Sequence, residues 1–280
     1  MSISGTGSQN DPYVVTTWAE LVSKAYETEK YTQVANDIDV LAEYPSGNVP
    51  TLSIRGYVDG NDCTLKGVYN TESKHIIAFS PSYAGLLENA NFANINTNYS
   101  LIDNRTGSSS HVNLKNCKFA GKMQGGYILN RPESYSSGGV EGCSFNIKGG
   151  DLHLCNDYYN QTYRNCNIKI DTTATYLCNQ NAYNYASIFL NCYMEINAPN
   201  LTEFGDSSTS FMKFDNTVLD LTTNNAVPFR VSDNAGISIF NSDHAPNMTT
   251  TGNVKAVSTE NWLNVAYLQS IGFDIMEVET

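Results

Sequence analysis

Asn116-Cys117-Lys118-Phe119, Gly142-Cys143-Ser144-Phe145, Asn165-Cys166-Asn167-Ile168 and Asn191-Cys192-Tyr193-Met194 are four copies of one pattern: a turn residue, a small residue, a polar residue and a large apolar one. The pattern extends outward to Asp62-Cys63-Thr64-Leu65 and Asn89-Ala90-Asn91-Phe92 on one side. On the other it continues as Asn216-Thr217-Val218-Leu219 and Asn241-Ser242-Asp243-His244. The small residues, Cys63, Ala90, Cys117, Cys143, Cys166, Cys192, Thr217 and Ser242, lie 27, 27, 26, 23, 26, 25 and 25 positions apart. A fixed period of this length marks a stacked repeat. It predicts an all-β fold, a right-handed, single-stranded parallel β-helix with coils of about 25 residues. Stacked strands lie about 4.8 Å apart, so each inward residue must sit on its own copy in the next coil. Small residues then fit a tight corner and large apolar ones fill the interior. Asn tolerates the left-handed backbone of the corner and can bond to the Asn above it. Seven such steps predict a rod of about 35 Å.

A second ladder shares the period: Ala78-Phe79-Ser80, Ile102-Asp103-Asn104, Ile128-Leu129-Asn130, Leu154-Cys155-Asn156 and Leu177-Cys178-Asn179, continued by Phe204-Gly205-Asp206 and Phe229-Arg230. The Gly-, Ser-, Asn- and Tyr-rich stretches between the ladders, such as 106–110 and 158–162, read as turns and loops. All seven cysteines fall on one ladder or the other, and no Cys-x-x-Cys spacing occurs. They read as buried free thiols packing as small hydrophobes rather than as a metal or redox site.

An open solenoid exposes strand edges and core side chains at its ends, so the ends need covers. Thr17-Trp18-Ala19-Glu20 has the capping-box spacing, and Trp18, Leu21, Val22 and Ala25 then share one face of a helix reaching to about Tyr26. Thr259 begins a second helix, with Trp262, Leu263, Ala266, Tyr267 and Ile271 along it and Gly272 as its stop. The two tryptophans, Trp18 and Trp262, are thereby expected to be caps at opposite ends. A first coil begins near Ile38 to Val40, and Thr51 to Ile54 with Asp59-Gly60 reads as a strand and tight turn. One continuous structural domain results: an N-terminal arm and capping helix in residues 1–36, the β-helix in 37–257, and a C-terminal capping helix and tail in 258–280.

The formal net charge of -12, with only 16% charged residues, gives no basic footprint, so no nucleic-acid partner is expected. No stretch approaches the roughly 20 apolar residues of a membrane span, and no membrane insertion is expected. The first residues, Met1 to Ser8, lack a positive start and apolar run. That predicts synthesis and folding in a cytoplasm, where thiols stay reduced.

Polysaccharide-cleaving β-helices need paired carboxylates, or a base with charge stabilisation, on one outward face. Asp103, Asp157 and Asp206 fall near equivalent turn positions, with Glu203 and Asp215 not far off, yet they make no Asp-Asp pair in the sequence. The four histidines, His75, His111, His153 and His244, show neither a shared ladder position nor metal spacing, and His153, alternating with Leu152 and Leu154, is expected to face solvent. No catalytic residue, metal ligand or cofactor is therefore assigned. Tyrosine is abundant at 18 copies, and Tyr135, Tyr158, Tyr159, Tyr183 and Tyr185 lie beside polar loop residues. Such rings suit contact with a glycan or a partner protein, or packing between coils and subunits.

Three further segments carry a resemblance: Gly5-Thr6-Gly7 with Asp11-Pro12-Tyr13-Val14-Val15-Thr16, then Asp59-Gly60-Asn61 with Thr64-Leu65-Lys66, and finally Tyr267-Leu268-Gln269-Ser270-Ile271-Gly272-Phe273. With the repeat between them, the chain resembles the pectin-lyase-like β-helix proteins of bacteriophages, which include tail-spike, fibre and capsid-surface proteins. The lyase and polygalacturonase signatures rich in Arg and His are absent. The resemblance implies a non-enzymatic structural protein of the virion, a head-surface decoration or tail-fibre component used for host attachment and assembled in the host cytoplasm. Its partners would be other virion proteins, further copies of the chain (trimers are frequent in that family) and a host surface glycan. The alternative it implies is a tail-spike depolymerase that cleaves host polysaccharide, and a third reading is a bacterial surface adhesin.

Overall fold

The computed structural model describes residues 3–70, 75–79, 85–103, 112–131, 138–157, 161–179, 186–205, 211–227, 236–248 and 253–273. They form a parallel β-solenoid of about six turns. One sheet of nine parallel strands runs in chain order from Tyr13–Val15 through Tyr31–Val34 and Tyr57–Asp59 to Phe211–Asp215. The other begins at Ile38–Asp39 and ends at Val254–Val257. In its middle two strands of 14 residues, Lys118–Arg131 and Ser144–Asp157, bend round to form a third side of the coil. Shorter strands such as Ile102–Asp103 and Tyr176–Asn179 join that third side. Gly126 makes one bend possible: its φ is +85°, and a Cβ there would stand 3.0 Å from the Ser100 amide nitrogen.

The corner between the first two sides explains the period. Asp62, Asn89, Asn116, Gly142, Asn165, Asn191 and Asn216 all have left-handed backbones, with φ between 45° and 62°. The amides stack: Asn116 donates to Asn89 Oδ1 at 3.3 Å, Asn191 to Asn165 Oδ1 at 3.3 Å, and Asn216 to Asn191 Oδ1 at 3.2 Å. Each following small residue turns inward. Cys117, Cys143, Cys166 and Cys192 donate their thiol hydrogens to the carbonyls of Lys115, Glu141, Arg164 and Leu190 at 3.3–3.4 Å. Two residues after each, the large apolar side chains form the central column of the core. Phe92, Phe119 and Phe145 stack with ring centroids 5.1 and 5.2 Å apart. Tyr163, Phe189 and Phe214 form a second stack inside the opposite sheet.

The last rung differs from the sequence expectation. Val218 pairs with Ile239, which puts Ser238, not Ser242, above Thr217, and the Thr217 amide donates to Ser238 Oγ at 3.1 Å. The final step is thus 21 residues. Ser242 lies beyond the strand, its amide bonded to the Val257 carbonyl. The second ladder also slips. Ile77, Ile102, Leu129, Cys155 and Cys178 are the paired residues, so Asp103 and not Asn104 occupies the place of Asn130, Asn156 and Asn179, and Ala78 rather than Ser80 stands below it.

The N-terminal cover forms as the capping box predicts. Helix α1, Trp18–Ala25, has Thr17 as N-cap, its Oγ1 accepting from the Glu20 amide at 3.2 Å, and buries Trp18, Leu21 and Ala25 in the main core. The Trp18 indole donates to the Pro50 carbonyl at 3.1 Å, and the Trp18 backbone amide donates to the Glu43 carboxylate from the short helix α2, Val40–Glu43. The sheet begins earlier than residue 37, because Tyr13–Val15 and Tyr31–Val34 already pair, and the arm bridges back through Ser4 to Val14.

The C-terminal end differs more. Thr259–Asn261 is a 3-10 turn, and α3, Val265–Ser270, starts afresh from the Asn264 cap. Leu263 is 87% exposed, and Ala266 is exposed too. Leu268 and Phe273 are the buried residues. With Trp262, Tyr267 and Ile271 they pack on Ile239, Val257 and Val218, in a cluster separate from the main core. Ile239 and Val257 alternate with the inward Phe240 and Val254. Trp262 therefore covers the flank of the last coils rather than closing their end.

Candidate functional site

The third side of the coil carries an aromatic column on its outer face. Interior residues Ile128, Leu154 and Leu177 alternate with Tyr127, His153 and Tyr176, which are placed above one another by the strand register. The His153 ring lies between the two tyrosines, with centroids 5.0 Å from Tyr127 and 4.1 Å from Tyr176. Imidazole is shorter than phenol, so the two hydroxyls meet past its edge, Tyr127 Oη to Tyr176 Oη at 3.2 Å. His153 Nδ1 donates to the Tyr176 carbonyl at 2.8 Å, which fixes the proton on that nitrogen, because a carbonyl only accepts. Nε2 faces the exposed Asp151 carboxylate at 3.4 Å. Contrary to the expectation from alternation, His153 is only 4% exposed: the flanking rings cover it. Glu203 continues the column above Tyr176.

Beside the rings runs an amide column. Asn156 donates to Asn130 Oδ1 at 2.8 Å, and Asn179 Nδ2 reaches across to Tyr127 Oη at 3.3 Å. At its lower end the buried Asp103 carboxylate takes the amide's place and pairs with His75 Nε2. The His75 ring lies 5.1 Å from that of Tyr99. A ledge of stacked rings flanked by amides and carboxylates suits a sugar or a partner's polar loop, the rings offering apolar area and the polar tips hydrogen bonds.

Tyr135, Tyr158, Tyr159, Tyr183 and Tyr185, and also His111, Asp206 and Phe229, lie outside the described residues. Of the candidate carboxylates, Asp157 is in strand register with Arg131, one place beyond Asp103's column, and Asp215 is in the opposite sheet. Tyr127, Tyr176 and Asn179 are functional candidates that motif reading passed over. A signal was present: Tyr127, His153 and Tyr176 are spaced 26 and 23 residues apart, the same steps as Cys117, Cys143 and Cys166.

A second polar cluster lies on the outer face of the side of the coil that runs from Ile38–Asp39 to Val254–Val257. Lys169, Glu195 and Asp220 are in register on successive coils. Lys169 Nζ bonds Glu195 at 2.5 Å, and Asp220 bonds His244 Nδ1 at 2.6 Å. Partial burial, followed by the fields of Asp220 and Glu195, raises the pKa of the Tyr193 phenol beside them. These adjacent carboxylates are the arrangement the sequence did not reveal, and each already holds a cationic partner or one that becomes cationic on protonation. A pocket of about 240 Å³ beside them is lined by Asn146, Lys148, Asp171 and Asn197, among others. Among the described residues no group of three or more His, Cys, Asp or Glu is arranged to hold a metal ion. Comparison with protein-family models, curated proteins and solved structures finds no match.

Proposed function

We propose that the chain is a non-enzymatic structural protein of a bacteriophage particle, a head-surface or tail-fibre component that acts in attachment by presenting the Tyr127–His153–Tyr176 ledge to a host surface glycan. The observation that carries the attachment role is the uninterrupted register, which sets Tyr127 and Tyr176, with His153 packed between them, on one outward face of a stiff support. Stiffness follows from the build: neighbouring coils are bonded by strand pairing, and at several steps also by corner amides and stacked core rings. The phage setting is supported by the resemblance of the two ends and the Asp59-Gly60-Asn61 segment. Copies of the chain and other virion proteins would be its assembly partners.

A depolymerase is the second reading, favoured by Glu195 and Asp220 on adjacent coils. Incubating the protein with purified host-surface polysaccharide separates the two. Retention of the polysaccharide without new reducing ends, lost in Tyr176→Ala and kept in Glu195→Gln, supports attachment. Release of reducing ends that disappears in Glu195→Gln overturns it in favour of cleavage. Labelled antibody on intact particles places the protein on head or tail, and particles that carry none of it refute the virion assignment.

A further inference from the structure

Seven free thiols lie along this chain, and the structure treats one pair of them differently from the rest. In the corner column each sulfur is directed at the carbonyl two residues before it: Cys63 at 3.6 Å and Cys117, Cys143, Cys166 and Cys192 at 3.3–3.4 Å. Those contacts hold the thiol hydrogens on backbone oxygens. Cys155 and Cys178 meet each other. They are partners in register on adjacent parallel strands, both fully buried, and their sulfurs approach to 3.0 Å, with Ser187 Oγ a further 3.4 Å from Cys155. Adjacent strands hold such residues about 4.8 Å apart at Cα, inside the range a disulfide spans. The next coil places Gly205 over Cys178, so no side chain from that position fills the space above the sulfur.

We propose that Cys155 and Cys178 are a disulfide site, the one pair among the seven cysteines that closes when the chain meets an oxidising medium. The oxidant is a small disulfide such as oxidised glutathione. One cysteine thiolate attacks it, forming a mixed disulfide and expelling one glutathione thiolate; the second cysteine thiolate then attacks the mixed disulfide, forming the Cys155–Cys178 bond and expelling the other. Two protein thiols are oxidised, two glutathione thiols are produced, and the protons pass to them through solvent. Full burial means that the bond forms while the coil is open, during folding or local unfolding, and is then enclosed. It would clamp the two coils that carry His153 and Tyr176, since each cysteine lies two residues beyond one of those rings. A chain folded in a reducing compartment would carry thiols, and the same chain refolded outside it would carry the staple. The inference stands whether the outer ledge binds a glycan or not.

The test is refolding of the full chain from denaturant in a buffer of reduced and oxidised glutathione, alkylation of the remaining thiols, and peptide mass mapping without reductant. The expected product is lighter than the reduced chain by two hydrogens before alkylation. It has one linked peptide pair containing Cys155 and Cys178, with the other five cysteines alkylated, and it melts at a higher temperature than the reduced protein. Cys178→Ala, a small apolar replacement, should fold, take up six alkyl groups and lose the difference in melting temperature between the two buffers. Alkylation at all seven cysteines of the refolded wild type would overturn the proposal, as would a bond between any other pair. Should Cys178→Ala not fold, Cys155→Ala supplies the same readout, and the wild-type map decides by itself.

Discussion

Asn116 offers the sharpest test of the stacked corner. Its backbone is left-handed at φ 52°, and its side chain donates to Asn89 Oδ1 at 3.3 Å. Replacement by Ala removes the bond, about 0.5–1.5 kcal/mol, and puts a Cβ without a polar tip into a conformation that costs it roughly 1–2 kcal/mol. Replacement by Gly removes the same bond but escapes the conformational cost, at the expense of about 0.4–1 kcal/mol of added freedom in the unfolded chain. Asn116→Ala should therefore destabilise by about 1.5–3.5 kcal/mol, and Asn116→Gly by about 1 kcal/mol less than that. Urea unfolding followed by circular dichroism, with midpoints compared at equal slope, measures both. The neighbouring corner gives a control: Gly142 has φ +62°, and a Cβ there would stand 2.4 Å from Asn116 Oδ1, so Gly142→Ala should also be costly. If Asn116→Ala proves as stable as Asn116→Gly, the corner does not need its left-handed backbone and the account of the repeat is wrong.

The corrected final rung predicts that Ser238→Ala costs about 1 kcal/mol, because the buried Thr217 amide loses its acceptor. Ser242→Ala should stay within roughly 0.5 kcal/mol; the reverse order in the same urea experiment would restore Ser242 to the ladder. Phe119→Ala, which empties a 1% exposed position between two stacked rings, should cost about 3–5 kcal/mol. A loss below about 1 kcal/mol, the scale of an ordinary substitution, would show that this column is not the core. At the N-terminal cover, the Thr16 backbone amide, 2.9 Å from the Glu20 carboxylate, is the main cause of that group's lowered pKa. Its contribution is thus fully present above the ordinary value of 4.5 and is lost as pH falls through the lowered native value. Hydrogen exchange of the α1 amides should show wild type better protected than Glu20→Gln at neutral pH and equal to it in acid, and an unchanged gap would refute the assignment.

The period of the corner motif was enough to determine the solenoid, because each coil must place like on like and so writes its own length into the chain. The same periodicity located the Asn corner, the inward thiols and the phenylalanine column, and the capping box located α1. Tertiary structure alone decided the rest, for reasons visible at particular residues. Ser238 replaces Ser242 because the last coil is short, and strand pairing rather than motif spelling sets register. Asp103 enters the amide column because its pairing is fixed by Ile102 on Leu129. Trp262 packs on the flank because Ile239 and Val257 face outward there and leave apolar surface to cover. The ledge of Tyr127, His153 and Tyr176 has no local motif at all. Its residues are neighbours only because coils of 26 and 23 residues return the chain to the same angle, and a site made by stacking becomes visible only when the stack is built.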